Sequence, residues 1–300
     1  MKAFAIFLLA FSCVSVNAQT QPSRPPIVGI GSVRIALSQP TSFVKFYVNE
    51  LGLGGGLTVC KGASQTCVEL SKNQRVDLST PGQPVKSSGM LNEVDFETTD
   101  VPRLHSFLIA RGEHPEGIVE TPGANLCFSV SDPEGHRVGF IQFLKQDNFS
   151  HPENQISTHL IHAGFVVHDR AAEDKFYKDV LGFHVYWHGG MKEGEDNWVD
   201  MQVPDGTDWI EYMLKVPENA THKQLGVMNH IALGVPDIHA AQQQLMKNGW
   251  KGTEEPKIGR DGKWQLNLYD PDETRVEMME FKPTKEACCS PYTGPHPGPQ

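Results

Sequence analysis

Internal repetition is the feature that most constrains the fold of this chain. At residues 228–237 a histidine opens a short apolar run that ends in a Pro-Asp turn, and a helical pattern follows at residues 238–248. The same order of strand and helix recurs at residues 162–182, and two further copies lie upstream. Because one such unit cannot bury its own apolar face, the copies are expected to pack against one another.

Ungapped alignments show how the four copies are related. Residues 92–112 align on residues 229–249 with an offset of 137, and residues 45–52 align on residues 175–182 with an offset of 130. Repeats of this length indicate a shared architecture, so the chain consists of two similar halves with two copies in each. Four units of strand, helix and further strands, paired two by two, predict an α+β fold with curved, mostly antiparallel sheets.

Changes in composition mark the boundaries between the parts of the chain. Residues 27–145 form the first predicted domain and residues 158–282 the second, with a polar connection between them. Residues 19–26 are rich in proline and polar residues and are predicted to be a linker. Residues 283–300 contain five prolines, and this Pro-rich tail is expected to be disordered.

The N-terminus has the pattern of a signal peptide at residues 1–18. Lys2 supplies a positive charge, residues 3–16 are apolar, and residues 16–18 fit the small-x-small cleavage rule. The apolar run is shorter than the roughly 20 residues of a spanning helix. We therefore expect export to the periplasm or the medium, with no membrane anchor after cleavage; a lipoprotein cysteine at Cys13 is the lesser alternative.

The charge balance limits the partners. The formal net charge is -10, and the chain contains no run of five like charges. Nucleic acid and anionic membrane surfaces both require a basic patch, so neither is expected as a partner. An acidic, soluble surface is the simpler interpretation.

The cysteines are consistent with an oxidising compartment. Cys60 and Cys67 flank a polar segment that resembles a hairpin loop, which predicts a disulfide between them. Cys127 lies in an apolar strand and is predicted to be a buried free thiol. Cys288 and Cys289 lack a CxxC partner, so they make a weak metal site, and an unpaired or disulfide-linked tail is the favoured interpretation.

Three motifs of the downstream half carry a family resemblance: His230-x-x-x-x-Val-x-Asp, Phe176-Tyr-x-x-x-Leu-Gly and Asp270-Pro-Asp-x-x-Arg-Val-Glu. They resemble the vicinal oxygen chelate superfamily, which includes glyoxalase I, extradiol dioxygenases and the bleomycin- and fosfomycin-resistance proteins. The resemblance covers residues 27–282. It implies four βαβββ modules paired into two glyoxalase-like domains, with metal ligands on the first and fourth strands of each module.

The resemblance places a metal site in the downstream domain, with His162, Glu211, His230 and Glu277 as its ligands. Neighbouring strands bring facing side chains to about 5 Å, so this arrangement is physically reasonable. Two imidazoles and two carboxylates suit a divalent Ni, Co, Zn, Mn or Fe ion. Either Glu211 or Glu277 is then the candidate catalytic base.

The upstream domain is expected to lack a metal. At the corresponding positions the alignment gives Arg34, Glu69, Glu93 and Gly139, and the Arg34 guanidinium would repel a cation. We expect Arg34 to form an ion pair with Glu69 or Glu93 where the metal would otherwise lie.

Four tryptophans are candidate walls of an apolar pocket, with sheet packing as the alternative: Trp187, Trp198, Trp209 and Trp264. Such a pocket would take a small-molecule substrate. The sequence leaves the oligomeric state open.

Three functions remain open at this point. The first is a glyoxalase-like lyase or isomerase, in which the metal polarises a small oxygenated substrate and a carboxylate transfers a proton. The second is an extradiol dioxygenase that holds Fe(II) through His162, His230 and Glu277. Such enzymes tend to have a tyrosine ten residues before the glutamate; here that position is Asn267, and Tyr269 is a possible substitute. The third is a non-catalytic ligand-binding or resistance protein.

Overall fold

The computed structural model describes residues 23–36, 38, 40–55, 58–59, 66–79, 90–121, 125–144 and 150–300. The predicted signal peptide lies outside these ranges, so it stays a prediction. Within them, no helix has the length and apolar character needed to span a bilayer.

The first half forms an eight-stranded sheet. Its strands are β1 (Ile27–Ala36), β2 (Thr58–Val59), β3 (Thr66–Ser71), β4 (Gln74–Ser79), β5 (Leu91–Thr98), β6 (Val119–Thr121), β7 (Asn125–Ser131) and β8 (Arg137–Gln142). Their order across the sheet is β2-β3-β4-β1-β5-β8-β7-β6. Strands β1 and β5 meet antiparallel at the centre, while β1/β4 and β5/β8 pair in parallel.

The second half repeats this topology. Its strands are β9 (His159–Val166), β10 (His184–Gly189), β11 (Trp198–Gln202), β12 (Trp209–Met213), β13 (His230–Val235), β14 (Lys257–Ile258), β15 (Trp264–Tyr269) and β16 (Arg275–Glu280). Their order is β10-β11-β12-β9-β13-β16-β15-β14, again with an antiparallel pair at the centre. The predicted α+β fold with four paired βαβββ modules is confirmed.

Each module has its helix directly after its first strand. These helices are α1 (Pro40–Phe43, continued by a π-helical turn at Val44–Glu50), α2 (Val101–Ala110), α3 (Arg170–Asp174, continued by a π-helical turn at Lys175–Val180) and α5 (Ile238–Lys247); α4 (His222–Met228) precedes β13. Aspartate caps three of them: the carboxylates of Asp100, Asp169 and Asp237 accept hydrogen bonds from backbone N–H groups of the first turn. Such a cap stabilises a helix by about 1 kcal/mol, which explains why a strand ending in aspartate predicts the helix.

The helices bury one face against their sheets. In α5 the buried residues Ile238, Ala241 and Leu245 have helical spacing, and in α2 Val101 and Leu104 follow the same pattern. Full burial of a leucine or isoleucine side chain contributes about 1.5–3 kcal/mol, so this packing fixes each helix on its sheet.

Polar contacts join the two halves. The Asp208 carboxylate accepts a hydrogen bond from the Ile30 N–H at 2.8 Å. The buried Gln74 amide donates to the carbonyl oxygens of Ile30 at 2.9 Å and of Leu160 at 3.0 Å. Because buried amides are costly without partners, these contacts position β1 against β9.

The expectation of a disordered tail is wrong. The Thr293 N–H donates to the Tyr186 carbonyl on β10, and the Ser290 hydroxyl accepts from the His188 N–H on the same strand. Strand β10 is the outer strand of the second sheet. Its unpaired backbone groups therefore gain partners from the tail, and an extended Pro-rich segment suits that role.

The cysteines of the described residues are mostly oxidised. Cys288 and Cys289 form a disulfide with each other, which agrees with one of the two favoured interpretations of the tail. Cys67 is disulfide-bonded. Cys60 lies outside the described residues, so the Cys60–Cys67 pair stays a prediction. Cys127 is a free thiol, as predicted, although only half-buried.

Candidate metal centre

The four predicted ligands lie on the four central strands of the second sheet, β12, β9, β13 and β16. The strand register places them in adjacent rows on one face. Glu211 and His230 are the neighbours of Gly164 in one row. His162 lies two residues before Gly164 in the next row, which ends with Glu277. Side chains two residues apart on a strand point to the same face, so all four converge.

The functional atoms of these side chains are close together. The Nε2 atoms of His162 and His230 are 3.1 Å apart. The Glu211 Oε2 atom is 3.0 Å from His230 Nε2 and 3.8 Å from His162 Nε2. The Glu277 Oε2 atom is 3.7 Å from His162 Nε2 and 3.8 Å from His230 Nε2.

Gly164 makes this approach possible. A Cβ atom on Gly164 would lie 2.2 Å from His230 Cε1, so the imidazole occupies the space that any side chain would need. The sequence holds this signal, because a glycine inside an apolar strand often marks the close approach of another group.

The hydrogen bonding of His230 places its lone pair on Nε2, where the Arg275 guanidinium lies 2.6 Å away and would have to give way to a metal ion. Its Nδ1 lies 2.8 Å from the Met228 carbonyl oxygen, a partner that accepts only, so Nδ1 carries the proton. The neutral tautomer then presents Nε2 as the electron-pair donor, which is the form that binds a metal.

Burial shifts the titration of all four groups. The side chains of His162, His230 and Glu277 are at most 4% exposed, and Glu211 is 14% exposed. Burial lowers the pKa of both histidines well below the usual value, and it raises the pKa of both glutamates to about 7. The imidazoles are thus neutral, as ligands must be, while a bound dication would return the carboxyls to the charged form.

This donor set fits a divalent metal ion. His162, His230 and Glu277 each offer a ligand atom within 4.8 Å of the others, and Glu211 lies at the edge of this group. Among the residues that the structure describes, Arg275 is the one cationic side chain in contact with the four candidate ligands. Its guanidinium is 2.6 Å from His230 Nε2. Two nitrogen and two oxygen donors suit Zn, Ni, Co, Mn or Fe.

A buried lysine behind the site was missed by sequence reasoning. Lys263 is fully buried, and its Nζ lies 4.5 Å from the centre of the Trp209 ring, which also packs against the His162 ring. Burial lowers the pKa of Lys263, whereas the carboxylates of Asp261 and Asp200 raise it. No motif announces such a residue, because lysines are ordinarily exposed.

A cavity of about 360 Å³ opens beside the four ligands. Three of the four predicted tryptophans line it: Trp187, Trp198 and Trp209. Trp264 instead packs against the hydrophobic core. Lys257 and Arg260 add positive charge to the lining, so the cavity suits a small molecule with an apolar part and an acidic or oxygen-rich part.

The tyrosine alternative of the dioxygenase interpretation is wrong. Tyr269 is 43% exposed and does not line the cavity. Asn267 does line it and lies directly opposite Glu277 on the neighbouring strand.

The prediction for the upstream half is wrong at its first position. Ser32, and not Arg34, is the counterpart of His162. Ser32 lies opposite Asp95 on β5, just as His162 lies opposite Ala232 on β13. Strand β1 is therefore displaced by two residues from the alignment used above.

The second upstream position is wrong as well. Asp77 faces Arg34 across β4 and β1, in the way that Glu211 faces Gly164 across β12 and β9. Asp77, and not Glu69, is therefore the counterpart of Glu211. The cause is a miscounted strand, since Glu69 lies on β3, one strand further out.

Ion pairs and hydrogen bonds fill the upstream site. Arg34 pairs with Glu93, which confirms one of the two expected ion pairs. A Cβ on Gly139 would lie 1.6 Å from the Asp95 carboxylate, which hydrogen-bonds to the Ser32 hydroxyl. In the part of the first sheet that the structure describes, these four positions form no metal-ligating group.

Comparisons with known proteins agree with the architecture. The model of the Glyoxalase/Bleomycin resistance protein/Dioxygenase superfamily matches residues 159–278. Lactoylglutathione lyase of Haemophilus influenzae is 28% identical over 128 residues, which make up 42% of this chain and 95% of that protein. The residues matched by the family model include the four predicted ligands.

Solved structures resemble the whole two-sheet arrangement. An extradiol ring-cleaving dioxygenase from B. fuscum superposes with a TM-score of 0.64 at 19% identity, covering 86% of this chain and 73% of that one. A substrate complex of homoprotocatechuate 2,3-dioxygenase from Brevibacterium fuscum gives 0.62 at 18% identity, covering 86% and 82%. At such identities the likeness is one of fold.

Family and cofactor follow from these findings together. The family match and the donor set confirm the predicted cofactor, a divalent metal ion. Residues 159–278 match the Glyoxalase/Bleomycin resistance protein/Dioxygenase superfamily, and the four βαβββ modules in two sheets support the predicted resemblance to the vicinal oxygen chelate superfamily.

Proposed function

We propose that the protein is a metal-dependent, glyoxalase-like lyase or isomerase that acts on a small oxygenated substrate. The observation that carries the proposal is the position of Glu211, whose Oε2 lies 3.0 Å from His230 Nε2 and 3.8 Å from His162 Nε2. A second carboxylate at the metal gives the site both an anchor and a base.

The two carboxylates differ in exposure, which separates their roles. Glu277 is 4% exposed and Glu211 is 14% exposed, although both line the cavity. Glu211 is thus the group that a substrate reaches, and its Oε2 is the proton acceptor in the proposal. Glu277 remains the buried anchor.

A divalent ion bound at this site supplies Lewis-acid polarisation of a substrate oxygen. The rest of the proposed chemistry belongs to side chains. Glu211 Oε2 removes a proton from the carbon next to the polarised oxygen and returns it to the adjacent carbon. Trp187 and Trp198 line the cavity and would hold the apolar part of the substrate away from water.

An extradiol dioxygenase is the second candidate. The group His162, His230 and Glu277 corresponds to the two-histidine, one-carboxylate set that holds non-haem Fe(II). The fold neighbours that cover 86% of this chain include dioxygenases of this kind, a likeness of fold. In that case Glu211 would only be a neighbour of the metal.

Substitution of Glu211 by glutamine distinguishes the two candidates. Glu211→Gln keeps the size and an oxygen ligand but loses basicity. Hemithioacetal isomerisation should fall by about 10²–10⁴-fold in this variant while the metal content, measured by plasma mass spectrometry, stays at the wild-type value. Glu218→Gln, a change at an exposed loop carboxylate, is the matched control and should leave turnover unchanged.

The same variants define the contrary outcome. Catechol ring cleavage by the wild type that survives in Glu211→Gln and is abolished in Glu277→Gln would establish the dioxygenase instead. Metal binding without either activity would support a ligand-binding protein.

We also propose that the chain is exported. The support is the signal-peptide pattern of residues 1–18 together with the disulfide between Cys288 and Cys289, since disulfides persist in oxidising compartments. N-terminal sequencing of the native protein tests this. We expect a start near Gln19, whereas recovery from the cytosol with residue 1 intact would contradict the proposal.

A further inference from the structure

A second group of ligand-type side chains lies away from the metal centre, where the two halves meet. Asp132 and His136 belong to the turn between β7 and β8, and Glu173 belongs to α3 of the second half. One ligand atom from each lies within 4.8 Å of the others. His136 Nδ1 is 2.8 Å from the Asp132 Oδ2 atom.

One carboxylate oxygen of this group is buried without a partner. Glu173 is fully buried; its Oε1 accepts from the Glu134 N–H at 3.0 Å, but its Oε2 makes no hydrogen bond. Asp132, 5% exposed, is the carboxylate beside it. Burial and the Asp132 charge raise the pKa of Glu173 to about 9. Two buried carboxyls that face each other need a proton or a cation between them.

The equivalent junction of the repeat shows that the fold does not require these residues. There Asp270 occupies the place of Asp132, and its carboxylate accepts from the Tyr47 hydroxyl, as Asp132 accepts from Tyr177. However, Thr274 stands in the place of His136.

The place of Glu173 in that junction is taken by Phe43, which is 1% exposed. An apolar ring therefore fills the position in one junction, while the other carries a carboxyl with an unpaired oxygen. The aspartate has a structural role common to both junctions; the histidine and the glutamate do not.

We propose that Asp132, His136 and Glu173 bind a second divalent cation that links the two halves of the chain. On binding, the proton between His136 Nδ1 and Asp132 Oδ2 would be released, and these two atoms with the orphan Glu173 Oε2 would supply two oxygen donors and one nitrogen donor, a set that suits Zn²⁺ or Mn²⁺. Its proposed role is structural, since the Glu134 carboxylate of the same turn accepts hydrogen bonds from the His168 and Asp169 N–H groups just before α3 and so already ties the two halves together here.

Metal counting on the full-length mature chain tests the proposal. Wild type, His136→Thr/Glu173→Gln and His162→Ala/His230→Ala are equilibrated with Zn²⁺, desalted and measured by plasma mass spectrometry. We expect two equivalents in the wild type and one in each double variant. His136→Thr installs the residue of the sister junction, and Glu173→Gln keeps the size of the side chain, so both changes favour a folded control.

The pattern of losses separates this proposal from the proposed function. One equivalent in the wild type that persists in His136→Thr/Glu173→Gln and disappears in His162→Ala/His230→Ala would overturn the second site. One equivalent with the reverse pattern would support the second site and refute the catalytic centre. As a second measurement, Zn²⁺ should raise the thermal midpoint of His162→Ala/His230→Ala but not that of the quadruple variant; equal midpoints with and without Zn²⁺ would also overturn the proposal.

Discussion

Gly164 has no functional group, yet it determines where His230 lies. The imidazole fills the space of the missing side chain, with His230 Cε1 at 2.2 Å from the ideal Cβ position. A metal centre built on strands thus depends on a small residue between two ligands as much as on the ligands themselves.

Gly164→Ala should therefore displace His230 and weaken metal binding. We expect a loss of affinity of about tenfold or more, the size of effect seen when groups that orient a metal ligand are removed. Competition with a chromophoric chelator measures it. Gly117→Ala, at a position where a Cβ meets no atom within 4 Å, is the control, and equal affinities of the two variants would contradict the steric argument.

Lys263 is a second residue whose role its residue type does not predict, because lysines are ordinarily exposed. It is fully buried between aromatic rings and compensates the Asp261 and Asp200 carboxylates behind the centre. Lys263→Met keeps the volume and removes the charge, leaving buried carboxylates uncompensated. The free energy of unfolding should fall by about 3 kcal/mol.

Urea unfolding of Lys263→Met measures that change. Lys257→Met is the matched control, because Lys257 is exposed and lines the same cavity, and its substitution should change stability by less than about 0.5 kcal/mol. Similar losses of unfolding free energy in both variants would show that a Lys263 charge does not compensate the buried carboxylates.

At the scale of elements, strand β9 and the tail are coupled through a buried histidine. Burial alone would lower the pKa of His159, but the Asp208 carboxylate 2.7 Å away and the Gly298 carbonyl raise it above the usual value. A group with a raised folded pKa stabilises the protein below its unfolded pKa of about 6.5, and this contribution is lost as the pH rises through the folded pKa.

Unfolding free energies should therefore decrease as the pH rises above about 6.5. His159→Gln and Asp208→Asn should each remove this part of the slope, and the double variant should remove no more than either single one. A slope that persists in both single variants would assign the effect to other groups.

The errors of the sequence prediction concern the register and the numbering of the upstream strands. The offset of 130 between helices leads to Ser32, but Arg34 has the same strand parity, so a slip of two residues leaves the pattern of buried and exposed faces intact. The error at Glu69 has a different cause, a miscounted strand: it lies on β3, whereas its counterpart position, Asp77, lies on β4. Where histidines marked the strands, at His162 and His230, the prediction placed both side chains in the cluster.

The tail shows another limit of composition. Five prolines in residues 283–300 are typical of disorder, yet the segment runs alongside β10. The Tyr292 hydroxyl donates a hydrogen bond to the Asp261 carbonyl. A sequence does not reveal which sheet edge lies open, and an open edge is what orders this segment. Lys263 and Glu173 were missed because their burial depends on contacts far apart in sequence.

At the scale of the whole molecule, the two sheets share one topology, but charge distinguishes them. The second sheet brings two imidazoles and two carboxylates to one point, whereas the first fills the same positions with the Arg34–Glu93 ion pair and the Asp95 carboxylate. Duplication has supplied a scaffold half and a half that is competent to bind metal. The proposed chemistry requires one divalent ion among the four side chains of the second sheet.

Anomalous diffraction from crystals grown with Zn²⁺ or Mn²⁺ tests that claim most directly. We predict a peak ligated by the Nε2 atoms of His162 and His230 and by one oxygen each of Glu211 and Glu277. A peak that lacks Glu211 would favour the dioxygenase alternative. Absence of a peak among these four residues, whether or not metal peaks occur elsewhere in the crystal, would contradict a metal centre at this position.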